Sequence, residues 1–255
     1  MDAAKVIGGN RMTPIEYSAF LRRFVETKDP DEQWLKGAGA TAPDDAVIRS
    51  EWAQLSSTPT DVFDREARWL RQRTQAGMIY RLLSGIDRLE DTVRVTTVMA
   101  EAALQASLDH HWPLLEHAFG APADPRFVVL GMGKLGGREL NLSSDIDIFC
   151  VYATDGETAG PRVRDHGEFF TKLTQAMAKS LDQQTADGFV ARVDQRLRPW
   201  GSAGRLAIPV AACEEYYEVH GREWERFALL KARPVAGDFE LGQSLLDALR
   251  PFMYR

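Results

Sequence analysis

Asp145 and Asp147 stand two positions apart at the start of an apolar run, Ile148-Phe149-Cys150-Val151-Tyr152. On a strand, residues i and i+2 share a face, so this spacing predicts that the two carboxylates project together while Ile146 turns into the core. Adjacent carboxylates repel, and a hard divalent cation relieves that repulsion. An Asp-x-Asp pair alone is a weak signal, because such pairs are common in exposed turns and helix caps. Two neighbours strengthen it. Upstream lies a glycine-rich turn with Gly131, Gly133 and Gly136, and downstream a third carboxylate, Asp194, sits in the alternating run Arg192, Asp194, Arg196, Arg198. That alternation places Asp194 between arginines on one strand face, with Val193 and Leu197 opposite. Three carboxylates on neighbouring strands can hold two metal ions for in-line displacement at phosphorus. Arg192 and Arg196 beside them would neutralise phosphoryl oxygens. The competing reading of Asp194 is a plain salt bridge to Arg192 or Arg196.

The same glycines match Gly-x-Gly-x-x-Gly after a strand, the pattern of a dinucleotide-binding turn. That reading needs a full crossover helix and then an acid at the far end of the next strand. Only about eight residues separate Gly136 from Ser144, too few for a parallel crossover, and the acids come at the start of the strand. A Walker loop fails too, since Gly136 is followed by Gly137 and Arg138 rather than Lys-Ser/Thr.

The elements that must position these residues change character along the chain. Residues 1–120 read almost wholly as helix. Thr13-Pro14-Ile15-Glu16 is a capping-box pattern, opening a helix with Tyr17, Phe20, Leu21 and Val25 on one face. A second start lies at Pro43-Asp44-Asp45, before Val47, Ile48 and Trp52. Helical spacing marks 62–83 and 89–112, and Pro113 is expected in the first turn of a further short helix ended by Gly120. Residues 122–125 read as a linker. Strand-like runs follow at 127–130 and 147–152, then a helix through Phe169, Phe170, Leu173, Met177 and Leu181. A turn at Asp187-Gly188 leads into a third strand over 189–197. Helices are expected over 209–220, 221–231 and 241–249. The division expected is a helical segment over 1–121 and a core over 122–255.

Composition narrows the partners. The 255 residues carry 31 Lys plus Arg against 37 Asp plus Glu, a formal net charge of -6, which argues against general nucleic-acid or anionic-membrane binding. Local arginines that hold phosphate remain compatible with it. With 44% hydrophobic residues the chain can bury a real core. Two cysteines, Cys150 and Cys213, give neither a disulfide framework nor metal-ligand spacing and point to a reducing compartment. Met1 to Gly9 has no apolar stretch of signal length, and no apolar run reaches the ~20 residues of a membrane span. The expectation is a cytoplasmic protein.

The motifs also resemble a known family. Gly131-Met132-Gly133-Lys134-Leu135-Gly136-Gly137, Glu139-Leu140-Asn141, Ser143-Ser144-Asp145-Ile146-Asp147, Asp187-Gly188-Phe189, Arg192-Val193-Asp194, Arg196-Leu197-Arg198-Pro199, Gly221 through Arg226 and Lys231-Ala232-Arg233 are similar to the catalytic domains of bacterial glutamine synthetase adenylyltransferase/adenylyl-removing enzymes. The resemblance covers about residues 127–255 and is nearest to the adenylyl-removing domain. It implies an α+β fold: a polymerase-beta-type nucleotidyltransferase core, with a small mixed or antiparallel sheet and helices, preceded by the helical segment and incomplete at its C-terminal end. It implies Mg²⁺ or Mn²⁺ on Asp145, Asp147 and Asp194, and phosphate contacts from Gly131, Gly133, Gly136, Ser143 and Ser144. The implied reaction removes AMP from a tyrosine of glutamine synthetase by phosphorolysis, giving ADP, or attaches it from ATP. Glutamine synthetase, ATP or ADP, phosphate and a PII signal-transduction protein are the implied partners. The alternative is a non-catalytic module of the same fold that recognises glutamine synthetase or a PII protein.

Other residues read as structural. His110 and His111 lack a partner ligand at helical spacing. Trp224, Phe227 and Leu230 are expected on a helix packing face. Cys150 is expected in inert core, and Cys213 on a helix without a helper base. Lys134 is left open between phosphate contact and a solvated helix surface.

Overall fold

The computed structural model describes residues 12–29, 32–40, 43–160 and 162–254. Met1 to Gly9, read above for a leader, lies outside the described residues.

The chain opens with helices. Thr13 and Glu16 close the expected capping box on α1 (Pro14–Tyr17), but Ser18 breaks the helix there and caps α2 (Ala19–Lys28) through its side chain. The packing face correspondingly shifts to Leu21 and Phe24, and Tyr17 is exposed. α3 (Gln33–Ala40) was not read from the sequence; two glycines within it weaken the helical signal. α4 (Asp45–Leu55) begins on Asp44, whose carboxylate accepts from the amides of Ala46 and Val47, and α5 (Thr60–Leu83) follows. α6 (Leu89–Phe119) is one continuous helix with Pro113 inside it, not two. Its apolar stripe runs on through Trp112, Leu115 and Phe119 onto the same core, and Trp112 Nε1 donates to Glu116 Oε1 at 2.7 Å one turn on. That packing outweighs the hydrogen bond a mid-helix proline forfeits.

β1 (Phe127–Gly131), the short α7 (Gly133–Gly136) and β2 (Ile146–Tyr152) come next. α8 (His166–Asp182) leads to β3 (Val193–Asp194), β4 (Ala207–Pro209), α9 (Val210–Val219) and α10 (Glu223–Leu229). β5 (Arg233–Gly237), α11 (Phe239–Ala248) and α12 (Arg250–Met253) end the described chain. The sheet is mixed, in order β3-β2-β1-β5. β1 is antiparallel to both β2 and β5, while β3 and β4 run parallel to β2 and share its outer edge.

Side-chain alternation sorts the strands between two layers. Phe127, Val129, Ile146, Ile148, Cys150 and Tyr152 face a core shared with α4, α5, α6 and α8. Val128, Leu130, Phe149 and Val151 face a second core with Tyr216, Tyr217, Leu245 and Leu246 from α9 and α11. Covered on both faces, β1 and β2 read as near-continuous apolar runs. No helix among the described residues is long and apolar enough to cross a membrane. Cys150 and Cys213 are buried free thiols, both pushed well above the usual thiol range by burial.

Candidate active site

β2 delivers its carboxylates by the expected alternation. Ile146 is 1% exposed and lies in the core with α6, so Asp145 and Asp147 turn to the opposite face. The parallel register sets Ile146 beside Val193 and Asp147 beside Asp194, which places the third carboxylate next to the second. Asp147 reports this crowding. Burial first, and then the charges of Asp194 and Asp145, raise its pKa, against the pull of Arg196 and Lys134. The backbone fixes it as well, since Met132 N donates to Asp147 O at 2.8 Å.

The glycine turn is shaped around this carboxylate. At Gly133, φ is +50°, and a Cβ there would stand 2.6 Å from Asp147 Oδ2, so a side chain would be strained and would push the Asp147 carboxylate aside. Gly136 lies so close to the Lys231 carbonyl that a Cβ would overlap it, and its amide is spent within the turn, donating to Met132 O at 2.9 Å. Gly136 therefore shapes the turn and offers no amide to a ligand, correcting the expectation that it donates to phosphate. Gly131 ends β1, paired with Ile148 and Arg233. Lys134 Nζ approaches Ser144 Oγ at 3.4 Å, which puts its ammonium on the site side of the turn.

The arginines differ most from the expected pattern. The third strand is two residues long, because the Asp194 carboxylate accepts from the Arg196 backbone amide at 2.8 Å and from its guanidinium. This side-chain turn ends the pleat. Arg192 pairs with Asp145 rather than Asp194 and also donates to Ser143 O. Arg198 is buried and donates to the carbonyls of Gln195, Ser202 and Gly204, so it organises the loop and does not line the site. Hydrogen bonds from Arg196 hold Asp194 below the usual carboxylate range. As the side chains stand, no three carboxylates, imidazoles or thiols among the described residues meet closely enough to hold a metal. In kind the donors suit a hard cation: three carboxylates on adjoining strand ends, one of them with its charge disfavoured by the other two.

A family model for glutamate-ammonia ligase adenylyltransferase matches residues 16–248. The chain belongs to this family. Its sheet and glycine turn are accordingly those of a nucleotidyltransferase fold. The chain is 50% identical over 197 residues to the bifunctional glutamine synthetase adenylyltransferase/adenylyl-removing enzyme of Thioalkalivibrio sulfidiphilus, covering 75% of this chain and 20% of that protein. The proteins of the same name from Stenotrophomonas maltophilia (strain R551-3) and Pseudomonas aeruginosa are 46% and 47% identical, over 77% and 76% of this chain and 22% and 21% of theirs. The chain thus spans about a fifth of the length of the curated relatives it matches.

The glycine turn rests on Arg233, the last residue of the Lys231-Ala232-Arg233 motif, and through it on Glu101 of α6, for which the motifs give no role. Arg233 donates to the carbonyls of Leu135 and Gly136, each at 3.0 Å, and pairs with Glu101, which also binds Arg49. Glu101 is 6% exposed. A lone acid in the stripe of Val98, Met99, Ala102 and Leu104 was the available signal. His110 is held in a structural role, bonded to Thr60 Oγ1 and Ser56 O and stacked on Phe63. Trp224, Phe227 and Leu230 are exposed, so α10 packs through Glu225 and Leu229 instead, a correction to the expected packing face.

Proposed function

We propose that this chain performs metal-dependent adenylyl transfer on a tyrosine of glutamine synthetase. The observation that carries the reading is the register that seats Asp194 beside Asp147, with Asp145 two residues away, behind a glycine turn; the names of the relatives supply the substrate. In the removing direction, phosphate attacks the AMP phosphorus and the tyrosine phenolate leaves, giving ADP. In the adenylylating direction, the tyrosine attacks the α-phosphate of ATP and pyrophosphate leaves.

Asp145, Asp147 and Asp194 would hold Mg²⁺ or Mn²⁺, which when bound supplies charge neutralisation and in-line alignment of nucleophile and leaving group. The chain's own residues do the rest. Asp145 and Asp194 must first release Arg192 and Arg196. Those guanidiniums are exposed enough to turn toward phosphoryl oxygens, which they match bidentately. Gly133 lets a phosphate approach the backbone beside Asp147, Ser143 and Ser144 offer hydroxyls, and Lys134 adds a point charge. ATP, ADP, phosphate, a PII protein as regulator and a cytoplasmic setting complete the proposal.

The arginine locks on two carboxylates support a second reading, a recognition module of the same family without turnover. One assay separates the two. The chain is incubated with AMP-modified glutamine synthetase, phosphate and Mg²⁺, and ADP is measured with and without EDTA. Metal-dependent ADP release is expected. Binding of glutamine synthetase with no ADP release would leave the module.

A further inference from the structure

The buried arginines among the described residues, Arg68, Arg81 and Arg198, are fully engaged. Arg68 donates to the carbonyls of Asp64, Gln183 and Gly188, Arg81 forks onto Asp87, and Arg198 holds three carbonyls. Half-buried Arg73 and Arg233 pair with Glu51 and Glu101. Arg71 on α5 departs from this pattern. Among the described residues it makes neither a hydrogen bond nor a salt bridge, and its Nε is shut off from solvent without an acceptor. Its guanidinium lies over the Phe189 ring, 4.8 Å from the centroid, and Arg192 lies 5.8 Å from the same centroid. One aromatic ring thus supports two cations, and no carboxylate balances Arg71. Burial, and then the charge of Arg192, lower its pKa, which is the signature of a cation lacking its counter-charge.

The loop that leads into Phe189 is tied to α5 on either side of Arg71. Three residues before it, Arg68 is bonded to the Gly188 carbonyl at 3.1 Å, and one residue after it, Gln72 is bonded to the Asp187 carbonyl at 2.5 Å. Between Arg71 and the start of β2 is a cleft of about 80 Å³, whose polar lining includes Arg71, Arg192, Ser143 and Ser144 and whose floor includes Ala100 and Leu140. At roughly 10–15 Å³ per water on this measure, the cleft has room for several waters, and so for one tetrahedral oxyanion.

We propose that this cleft is an oxyanion site in which Arg71 and Arg192 grip a phosphate group, with the hydroxyls of Ser143 and Ser144 as further donors. Arg71 is thereby a binding residue contributed by the helical layer. Two guanidiniums and two hydroxyls are donors, as a phosphate's several acceptor oxygens require, and the apolar floor strengthens each contact by excluding water. The choice of phosphate over other oxyanions rests on the adenylyl-transfer reading. The oxyanion is then either free orthophosphate or a phosphoryl group carried by a nucleotide.

The test follows the arginine Nε–H resonances of the ¹⁵N-arginine-labelled chain by NMR. Inorganic phosphate is titrated in one arm and metal-free ATP in the other, both at constant ionic strength. Saturable shifts of Arg71 and Arg192 in either arm are expected, and the responding arm identifies the source. Arg71→Gln should weaken that ligand at least ~10-fold, Arg71→Lys less, and the distant Arg88→Gln not at all. The absence of any saturable shift up to roughly 50 mM of either ligand, or wild-type affinity in a folded Arg71→Gln chain, would overturn the proposal. The wild-type resonances decide the matter even if Arg71→Gln does not fold. Because turnover is not the readout, the two readings fail separately. A chain that binds phosphate through Arg71 but transfers no AMP keeps this site and loses the enzyme reading. A chain that transfers AMP while Arg71 ignores both ligands loses only this site.

Discussion

The junction between the helical layer and the sheet, and the open end of β2 and β3, are built from the same acid and arginine chemistry and use it in opposite ways. At the junction, Glu101 is buried between Arg49 and Arg233, and Arg233 carries that tie to the glycine turn. Within the helical layer, Arg81 and Asp87 form a second dry fork at 2.6 and 2.7 Å, with 6% and 8% of their side chains exposed. At the open end, Arg192 and Asp145 are 52% and 46% exposed, and Arg196 is 77% exposed beside Asp194, itself 15% exposed. A dry ion pair cannot lose a partner without stranding a charge. A wet one is screened and costs little to open. The junction therefore fixes geometry, while the open end can exchange a carboxylate for a phosphoryl oxygen.

Breaking the junction should give the largest effect. Glu101→Ala strands Arg233 and releases the clamp under the glycine turn, and should cost about 3–5 kcal/mol in urea denaturation. A loss below about 1 kcal/mol would show that the pair is not a dry one. Next comes pH. His111 is 7% exposed, and burial, then the charge of His110, push its pKa down to about 4. The folded state therefore resists protonation that the unfolded chain, near 6.5, accepts. The stability tied to this histidine is complete above about pH 6.5 and is lost as pH falls toward 4, by roughly 3 kcal/mol at the bottom of that window. His111→Phe should flatten that part of the stability profile, measured by thermal melts across pH 4–7.

The open end should respond weakly. Arg196→Ala is expected to change stability by about 0–1 kcal/mol, with no loss of the fold by circular dichroism. Smallest is Asp147→Asn. Because the Asp147 pKa is raised on folding, its charge opposes the folded state at neutral pH. Protonation restores that stability as pH falls through the raised value toward the ordinary carboxylate range. The amide should thus melt slightly above wild type at pH 7 and level with it near pH 3. A lower melting temperature for Asp147→Asn at pH 7 would contradict the crowding of the three carboxylates.

Much of this was readable from residue order, and the failures have physical causes. The capping box at Thr13 and Glu16, the apolar run of β1 and the alternation that turns Ile146 inward are local patterns, and local patterns survive folding. The third strand was overread because alternation continues past Asp194, whereas the Asp194 side chain captures the Arg196 amide and ends the pleat. β5 was missed because Pro234 argues against a strand; it is tolerated because β5 is the sheet edge, with a register shift against β1 between Val129 and Leu130. Glu101 and Arg71 stayed hidden, and Arg233 was visible only as part of a motif, because their roles depend on partners far away in the chain. The Asp145–Asp147 pair was visible because its spacing alone sets its direction, whereas its arginine partners were set by tertiary placement.

The most direct test of the central claim is transfer itself. Wild type and Asp147→Asn are incubated with α-³²P-ATP, Mg²⁺ and glutamine synthetase, and in parallel with AMP-labelled glutamine synthetase and phosphate. The account predicts label entering or leaving the tyrosine with wild type, and at least ~100-fold less with Asp147→Asn, the loss of about 2.7 kcal/mol of transition-state stabilisation. Equal transfer by the two proteins, or none by wild type in either direction, would contradict it.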